Sequence, residues 1–142
     1  MKILWLDNDQ VFIRPHIRRL RAEGHDVDHV LEPTEALNLL KSRTMDYNLL
    51  ILDVMMGYES EQEKLGLLPG ETDSGRQTGL VFYRRHIAGK RDMPPVVVLS
   101  IRNDMEIRQA FLDAGLPSTH YQTKDEIADT RAFVDYVTRL TD

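Results

Sequence analysis

The chain opens with MKILWLDND (residues 1–9), in which an apolar run passes directly into two aspartates separated by an asparagine. A short, continuous apolar run is typical of a strand that is buried on both faces of a parallel sheet. Acidic side chains placed at the end of such a strand lie at the edge of the sheet. The opening stretch therefore predicts a buried first strand and an acidic site beside it.

Two further runs have the same character, NLLIL (48–52) and PVVVL (95–99). A weaker run, DVDHVL (26–31), alternates between polar and apolar residues, and its Val27 is expected to point inward. STHYQT (118–123) is polar and is assigned as a strand from its position alone. Five strands are therefore expected.

Apolar residues at helical spacing predict a helix after each strand. The predicted helices span residues 11–23, 34–42, 79–88, 104–114 and 126–140. Gly24 and Gly115 are typical helix stops, and Asn103 is a suitable cap. Strands that alternate with helices form right-handed crossovers, so we expect a single parallel sheet covered by helices on both faces.

The composition excludes several classes of function. The 142 residues are 42% apolar and 29% charged, which fits one soluble domain over residues 1–142. A net charge of −5 without a basic block argues against a nucleic-acid partner. The absence of cysteine excludes disulfides, thiolate metal sites and cysteine nucleophiles. No apolar run has the length of a signal peptide or membrane span, so we expect a cytoplasmic protein without membrane contact.

A polar, glycine-rich stretch interrupts the alternation between the third strand and the third helix. Residues 57–78 read GYESEQEKLGLLPGETDSGRQT. A loop of this length without secondary structure is unusual in a compact domain. It is either a functional lid or contact loop, or a tolerated surface insertion. The sequence leaves open whether it covers the site or contributes to a homodimer.

Side chains with useful chemistry follow four of the five predicted strands. They are Asp7, Asn8 and Asp9 after the first strand, Asp53 after the third, Ser100 after the fourth and Lys124 after the fifth. Ligands of open parallel sheets bind beyond the carboxyl ends of the strands, so these side chains should meet there. Clustered carboxylates resist joint ionisation unless a cation neutralises them, and oxygen ligands suit Mg²⁺. A carboxylate beside Mg²⁺ can attack phosphorus, and Lys124 and Ser100 can bind the transferred oxygens.

The motifs, taken in order, resemble the receiver domain of two-component response regulators over nearly the whole chain outside the insertion. They are DND after the first strand, ILDVMM after the third, VVVLS at the fourth and YQTK at the fifth, with the GHDV turn and the helices TEALNLLK and TGLVFYRRHI. The resemblance implies a doubly wound, flavodoxin-like (βα)5 fold of the α/β class, with a five-stranded parallel sheet.

The resemblance also implies a role for individual residues. Asp53 would accept a phosphoryl group from a histidine kinase or histidine phosphotransfer protein, giving an aspartyl phosphate. Mg²⁺ would be held by Asp7, Asn8, Asp53 and the backbone carbonyl of Met55. Ser100 and Lys124 would bind the phosphoryl group, and Ser100 and Tyr121 would form the conformational switch.

The implied activity is signalling in a phosphorelay. The chain would act on a downstream protein through its fourth helix, fifth strand and fifth helix, without catalysis beyond self-phosphotransfer and autodephosphorylation. No output domain follows the fifth helical pattern. The chain is therefore expected to act through protein contacts alone or to be part of a longer regulator.

Four residues depart from the family's pattern. Asn8 replaces one acid of the metal-binding pair, which keeps an oxygen ligand but removes a negative charge and should weaken Mg²⁺ binding. Gly57 and Asp125 stand where prolines are usual. Pro15 falls within the first helical pattern, and we expect the helix to begin late enough for Pro15 to lie in its first turn.

Two alternatives to a phosphorylated receiver stay open. The first is a pseudo-receiver that keeps the fold as a protein-interaction module. The second is a phosphohydrolase resembling the haloacid dehalogenases, with Asp7 as nucleophile and Asp9 as general acid. The second alternative leaves Asp53 without a role and lacks the acidic pair that this family places after its lysine.

Overall fold

The computed structural model describes residues 1–43, 46–54, 78–101 and 104–141. Strands and helices alternate along these ranges as the sequence predicts. The elements are β1 (Lys2–Leu6), α1 (Gln10–Ala22), β2 (Asp26–Val30), α2 (Pro33–Arg43), β3 (Leu49–Asp53), α3 (Thr78–Phe82), β4 (Val96–Ser100), α4 (Met105–Asp113), β5 (Tyr121–Thr123) and α5 (Thr130–Thr141). A π-helical turn, Tyr83–Ile87, continues α3, and a 3-10 turn, Ser118–His120, precedes β5.

The five strands form one parallel sheet in the order β2-β1-β3-β4-β5. The chain first steps outward from β1 to β2 and then crosses to β3 on the other side of β1. The order of the strands therefore reverses between β1 and β3, and the crevice at their carboxyl ends is where this class of sheet binds ligands. The predicted doubly wound, flavodoxin-like α/β architecture is confirmed.

Two apolar layers cover the sheet because successive side chains of each strand point to opposite faces. On one face, Leu4, Leu50 and Val98 pack with the layer that includes residues of α2, α3 and α4. On the other face, Trp5 and Ile51 pack with the layer that includes residues of α1 and α5. Both faces of the central strands are buried, which explains why their sequences read as continuous apolar runs.

Pro15 is a correction to the sequence prediction. Asp9 caps α1, which begins at Gln10, so Pro15 lies beyond the first turn and inside the helix. Proline cannot donate a hydrogen bond to the carbonyl one turn earlier, that of Val11. Val11 and Pro15 are both exposed, so water can hydrate that carbonyl. Burial of the apolar face of α1 offsets the remaining cost.

The boundaries of the last two helices also differ from the prediction. α4 is capped by Asp104, whose side chain accepts hydrogen bonds from the backbone N–H groups of Glu106 and Ile107, whereas Asn103 lies outside the described residues. α5 begins at Thr130 and not at residue 126. Asp129 competes with a longer helix because its carboxylate accepts hydrogen bonds from the first turn of α5.

The third helix begins at Thr78, one residue earlier than predicted. Thr78 is the first residue of α3 and is fully buried. Residues 57–77 lie outside the described residues, as does Met55. None of the described helices is long and apolar enough to cross a membrane.

The position of Pro15 leads to a prediction about stability. Pro15→Ala restores a backbone donor on an exposed face of α1 and should raise the free energy of unfolding by roughly 1–2 kcal/mol. Urea denaturation measures the change, with Arg18→Ala on the same helix as the control for loss of an exposed side chain. An unchanged or lower stability in Pro15→Ala would contradict the position of Pro15 inside the helix.

Candidate functional site

The structure brings the predicted acidic residues, the serine and the lysine to one edge of the sheet. Asp7 follows β1, Asp53 ends β3, Ser100 ends β4 and Lys124 follows β5. All four strands are parallel, so their carboxyl ends share that edge. The backbone N–H of Lys124 donates a hydrogen bond to the carbonyl of Ser100 at 2.8 Å, which fixes the lysine beside β4.

The Lys124 ammonium lies among three carboxylates. Its Nζ is 3.2 Å from Asp7 Oδ2, 3.8 Å from Asp53 Oδ1 and 3.8 Å from Asp9 Oδ2. Asp7 and Asp53 are 0% and 1% exposed, and Lys124 is also buried, whereas Asp9 is partly open to solvent. These short contacts identify Lys124 as the charge that holds the two buried carboxylates together.

The charges of this cluster do not balance. Three carboxylates face one ammonium, so two negative charges stay uncompensated by these four side chains. Like charges that share a buried site repel strongly in a medium of low dielectric constant. The site therefore favours an additional cation.

The donor atoms fit Mg²⁺, although the described part of the site is incomplete. The carboxylates of Asp7 and Asp53 supply hard oxygen ligands, and Asn8 lies next to Asp7 on an exposed bend. Met55, the source of the expected carbonyl ligand, lies outside the described residues. Within those residues, no three acidic or histidine side chains converge as a ready-made metal site.

Asp9 has two structural contacts that explain its place in the opening DND. Its side chain accepts a hydrogen bond from the backbone N–H of Phe12 and so caps α1. Its own backbone N–H donates to Asp7 Oδ1 at 2.8 Å. The start of α1 therefore also orients the Asp7 carboxylate.

Gly79 packs directly against the backbone of Asp53. A Cβ atom at Gly79 would overlap the Asp53 carbonyl oxygen and would lie 2.7 Å from the Val54 Cα. The backbone N–H of Gly79 donates to the Val54 carbonyl at 2.8 Å. The first turn of α3 can approach the end of β3 this closely only with glycine at this position.

Tyr121, the predicted switch residue, is buried in β5. Its ring lies 5.9 Å from the Phe111 ring and 5.8 Å from the Arg108 guanidinium carbon. Burial raises the pKa of the Tyr121 phenol, and the nearby Ser100 hydroxyl offsets part of that rise. The Tyr121 hydroxyl nevertheless has no well-aligned hydrogen-bond partner among the described residues. Ser100 and Tyr121 are thus close neighbours on adjacent strands.

The sequence prediction did not identify two histidines that support the site. His29 Nε2 lies 2.8 Å from the backbone carbonyl of Asp7, and both ring nitrogens of His16 contact backbone carbonyls. His29 is paired with Trp5 in the parallel register of β1 and β2, and this register places its side chain beside the end of β1. The register could not be predicted from the sequence. His16 lies on the apolar side of α1 between Ile13 and Ile17, which was the only signal in the sequence.

The same fold recurs in solved structures of receiver domains from CheY-like response regulators. A putative response regulator from Chloroflexus aurantiacus is similar with a TM-score of 0.70 at 20% identity, over 99% of this chain and 96% of that chain. A response regulator from Thermotoga maritima has a TM-score of 0.69 at 18% identity, with coverages of 99% and 96%. The BeF3-activated receiver domain of Klebsiella pneumoniae RstA has a TM-score of 0.67 at 18% identity, with coverages of 99% and 97%. The sequence matches no protein-family model and no curated protein.

The contact between Gly79 and Asp53 leads to a prediction. Gly79→Ala forces a methyl group into the Asp53 backbone and should lower the free energy of unfolding by about 3 kcal/mol. Gly24→Ala is the comparison, because Gly24 has a φ of +93° but nothing within 4 Å, so only backbone strain of about 1 kcal/mol applies. Equal losses in the two variants, measured by urea denaturation, would contradict the close approach.

Proposed function

We propose that this chain is a response-regulator receiver in which Asp53 accepts a phosphoryl group from a phosphohistidine. The observation that carries this proposal is the Asp7–Lys124–Asp53 cluster at the switch point of a receiver-type sheet. The donor would be a histidine kinase or a histidine phosphotransfer protein. A single receiver domain over residues 1–142 and a cytoplasmic location belong to the same proposal.

In the proposed reaction, an Asp53 carboxylate oxygen attacks the phosphorus atom of the phosphohistidine. The P–O bond forms as the P–N bond breaks, and the imidazole leaves with the electron pair of the broken bond. Mg²⁺, held by Asp7, Asn8, Asp53 and the Met55 carbonyl, would neutralise the phosphoryl oxygens and the surrounding carboxylates. When Asp53 becomes an acyl phosphate, the negative charge of its carboxylate is replaced by the charge of the phosphoryl oxygens.

Lys124 can respond to this shift of negative charge from the carboxylate to the phosphoryl oxygens. Its ammonium lies between Asp7 and Asp53, so it can pair with a phosphoryl oxygen once Asp53 is phosphorylated. Ser100, at the adjacent strand end, has a hydroxyl that can donate to another phosphoryl oxygen. Since Tyr121 packs beside Ser100, a movement of Ser100 would change the space available to the Tyr121 ring.

The output surface is proposed to comprise α4, β5 and α5. Two large apolar side chains are exposed at the start of this region, Ile101 at 51% and Met105 at 65%. They lie close in sequence to Ser100, so a shift at the end of β4 would reach them directly. A downstream protein that covers these side chains would sense the phosphorylation state. A homodimer is one form that such a contact could take.

Of the two alternative functions, the structure favours the pseudo-receiver over the phosphohydrolase. Asp9 would have to act as a general acid in the phosphohydrolase, but its side chain caps α1 and faces Lys124. A pseudo-receiver is favoured by Asn8, which lowers the charge available for a metal. The two experiments below distinguish it from a phosphorylated receiver.

Phosphorylation is tested by intact mass after incubation with acetyl phosphate and Mg²⁺. The wild-type chain should gain one phosphoryl group, and Asp53→Asn should gain none because it lacks the carboxylate nucleophile. Asp125→Asn, which removes an exposed carboxylate near Lys124, is the control and should be modified like the wild type. An unmodified wild-type chain would leave the pseudo-receiver as the function.

Mg²⁺ affinity is tested by calorimetric titration of Asn8→Asp. The added carboxylate should tighten Mg²⁺ binding roughly tenfold, because it restores a negative charge within about 4 Å of the proposed site. Asn38→Asp, which adds the same charge on the exposed side of α2, should leave the affinity unchanged. Equal effects of the two substitutions would contradict a metal site at Asp7 and Asn8.

A further inference from the structure

We propose that His16 is a positioning residue that ties α1 to the loop after β5 and thereby holds Lys124 in the acidic site. The importance of Lys124 for phosphotransfer rests on the proposed function. The tie between α1 and the loop rests on the geometry of His16 alone.

His16 links two elements that are far apart in the sequence. It is 2% exposed and is the only histidine among the described residues that is buried to this extent. Its Nε2 lies 2.7 Å from the backbone carbonyl of Ile127, and its Nδ1 lies 3.1 Å from the carbonyl of Phe12. Ile127 comes three residues after Lys124, so the ring connects α1 to the segment that carries the lysine.

The chemistry of the ring determines which nitrogen must carry hydrogen. A carbonyl oxygen only accepts hydrogen bonds, so the shorter contact requires a hydrogen on Nε2. This requirement is met by the Nε2–H tautomer and by the imidazolium, but not by the neutral Nδ1–H tautomer. The hydrogen bond to the Ile127 carbonyl therefore forms only when a donor group occupies the position of Nε2.

Phe12 provides the second connection between His16 and Lys124. The Phe12 and His16 rings are stacked with centroids 4.8 Å apart. The Lys124 ammonium lies 5.2 Å from the centroid of the same Phe12 ring, in the range of a cation–π contact. His16 thus supports the Phe12 ring, which contacts the Lys124 ammonium, and also the loop that follows Lys124.

The loop after β5 has a particular need for such an anchor. Asp125 occupies the place of the proline usual in receiver sequences, so the ring that would restrict the backbone at this position is missing. Local bonds close only short turns, as when Glu126 N–H donates to the Thr123 carbonyl and Ala128 N–H to the Asp125 carbonyl. The bond from His16 to the Ile127 carbonyl connects the later part of this loop to α1, whereas Lys124 itself contacts Asp9 and Phe12.

Amide hydrogen exchange tests the anchor without reference to phosphorylation. His16→Leu removes the donor, and exchange at Glu126 and Ala128 should accelerate about tenfold relative to the amides of β3. His16→Gln places an amide donor near the position of Nε2 and should keep exchange within about threefold of the wild type.

Val27→Ala is the matched control, because it opens a cavity in the same apolar layer but on β2, at the opposite edge of the sheet from β5. It should not accelerate exchange at Glu126 and Ala128 selectively. The proposal is overturned if His16→Leu has no selective effect on the loop, or if Val27→Ala has the same selective effect.

A second measurement uses the wild-type chain and does not depend on the folding of any variant. Nitrogen-15 NMR of the His16 ring should show hydrogen on Nε2, whereas a neutral ring with hydrogen on Nδ1 alone overturns the proposal.

The rate of phosphorylation by acetyl phosphate should fall in His16→Leu and recover in His16→Gln. If the wild type accepts no phosphoryl group, the proposed function fails, while exchange and NMR still decide the role of His16.

Discussion

The attraction between one buried ammonium and two buried carboxylates organises this molecule. Lys124 can reach Asp7 and Asp53 only if β1, β3 and β5 end at the same edge, and a parallel sheet meets that condition. Removal of the Lys124 charge would leave both carboxylates buried without compensation, whereas removal of one carboxylate would leave the ammonium paired with the other. A change of charge on Asp53 would therefore change how the Lys124 ammonium divides its attraction between Asp53 and Asp7.

The architecture and the central site could be predicted from the sequence because both depend on local patterns. Strands buried on both faces must be apolar throughout, and the residues that follow them must lie at one edge. Asp7, Asp53, Ser100 and Lys124 could be assigned to one site by this reasoning. The fold then confirmed their convergence, whereas their chemical roles stay proposals. Met55 and the insertion lie outside the described residues, so the predictions for them stay untested.

The parts that escaped prediction depend on contacts between distant residues. Pro15 disfavours a helix interior locally, yet the apolar face of α1 is buried against the sheet and the helix begins before it. The carbonyl partner of His16 belongs to Ile127, more than a hundred positions later. No spacing rule relates two such residues. The predicted starts of α4 and α5 were wrong for a similar reason. Asp104 and Asp129 cap these helices at positions that the pattern of apolar residues does not indicate.

The hydrogen bond from Gly79 to the Val54 carbonyl has a consequence for the evolution of the chain. It joins Val54, the last residue of the described range 46–54, to Gly79, the second residue of the next described range, so the end of β3 and the start of α3 are neighbours. The entropy of closing a loop increases only slowly with its length. Sequence could therefore be gained or lost between these two residues at little thermodynamic cost to the sheet. The hydrogen bond between Gly79 and Val54 thus fixes the two ends of the connection, and the length of the connection can vary without moving β3 or α3.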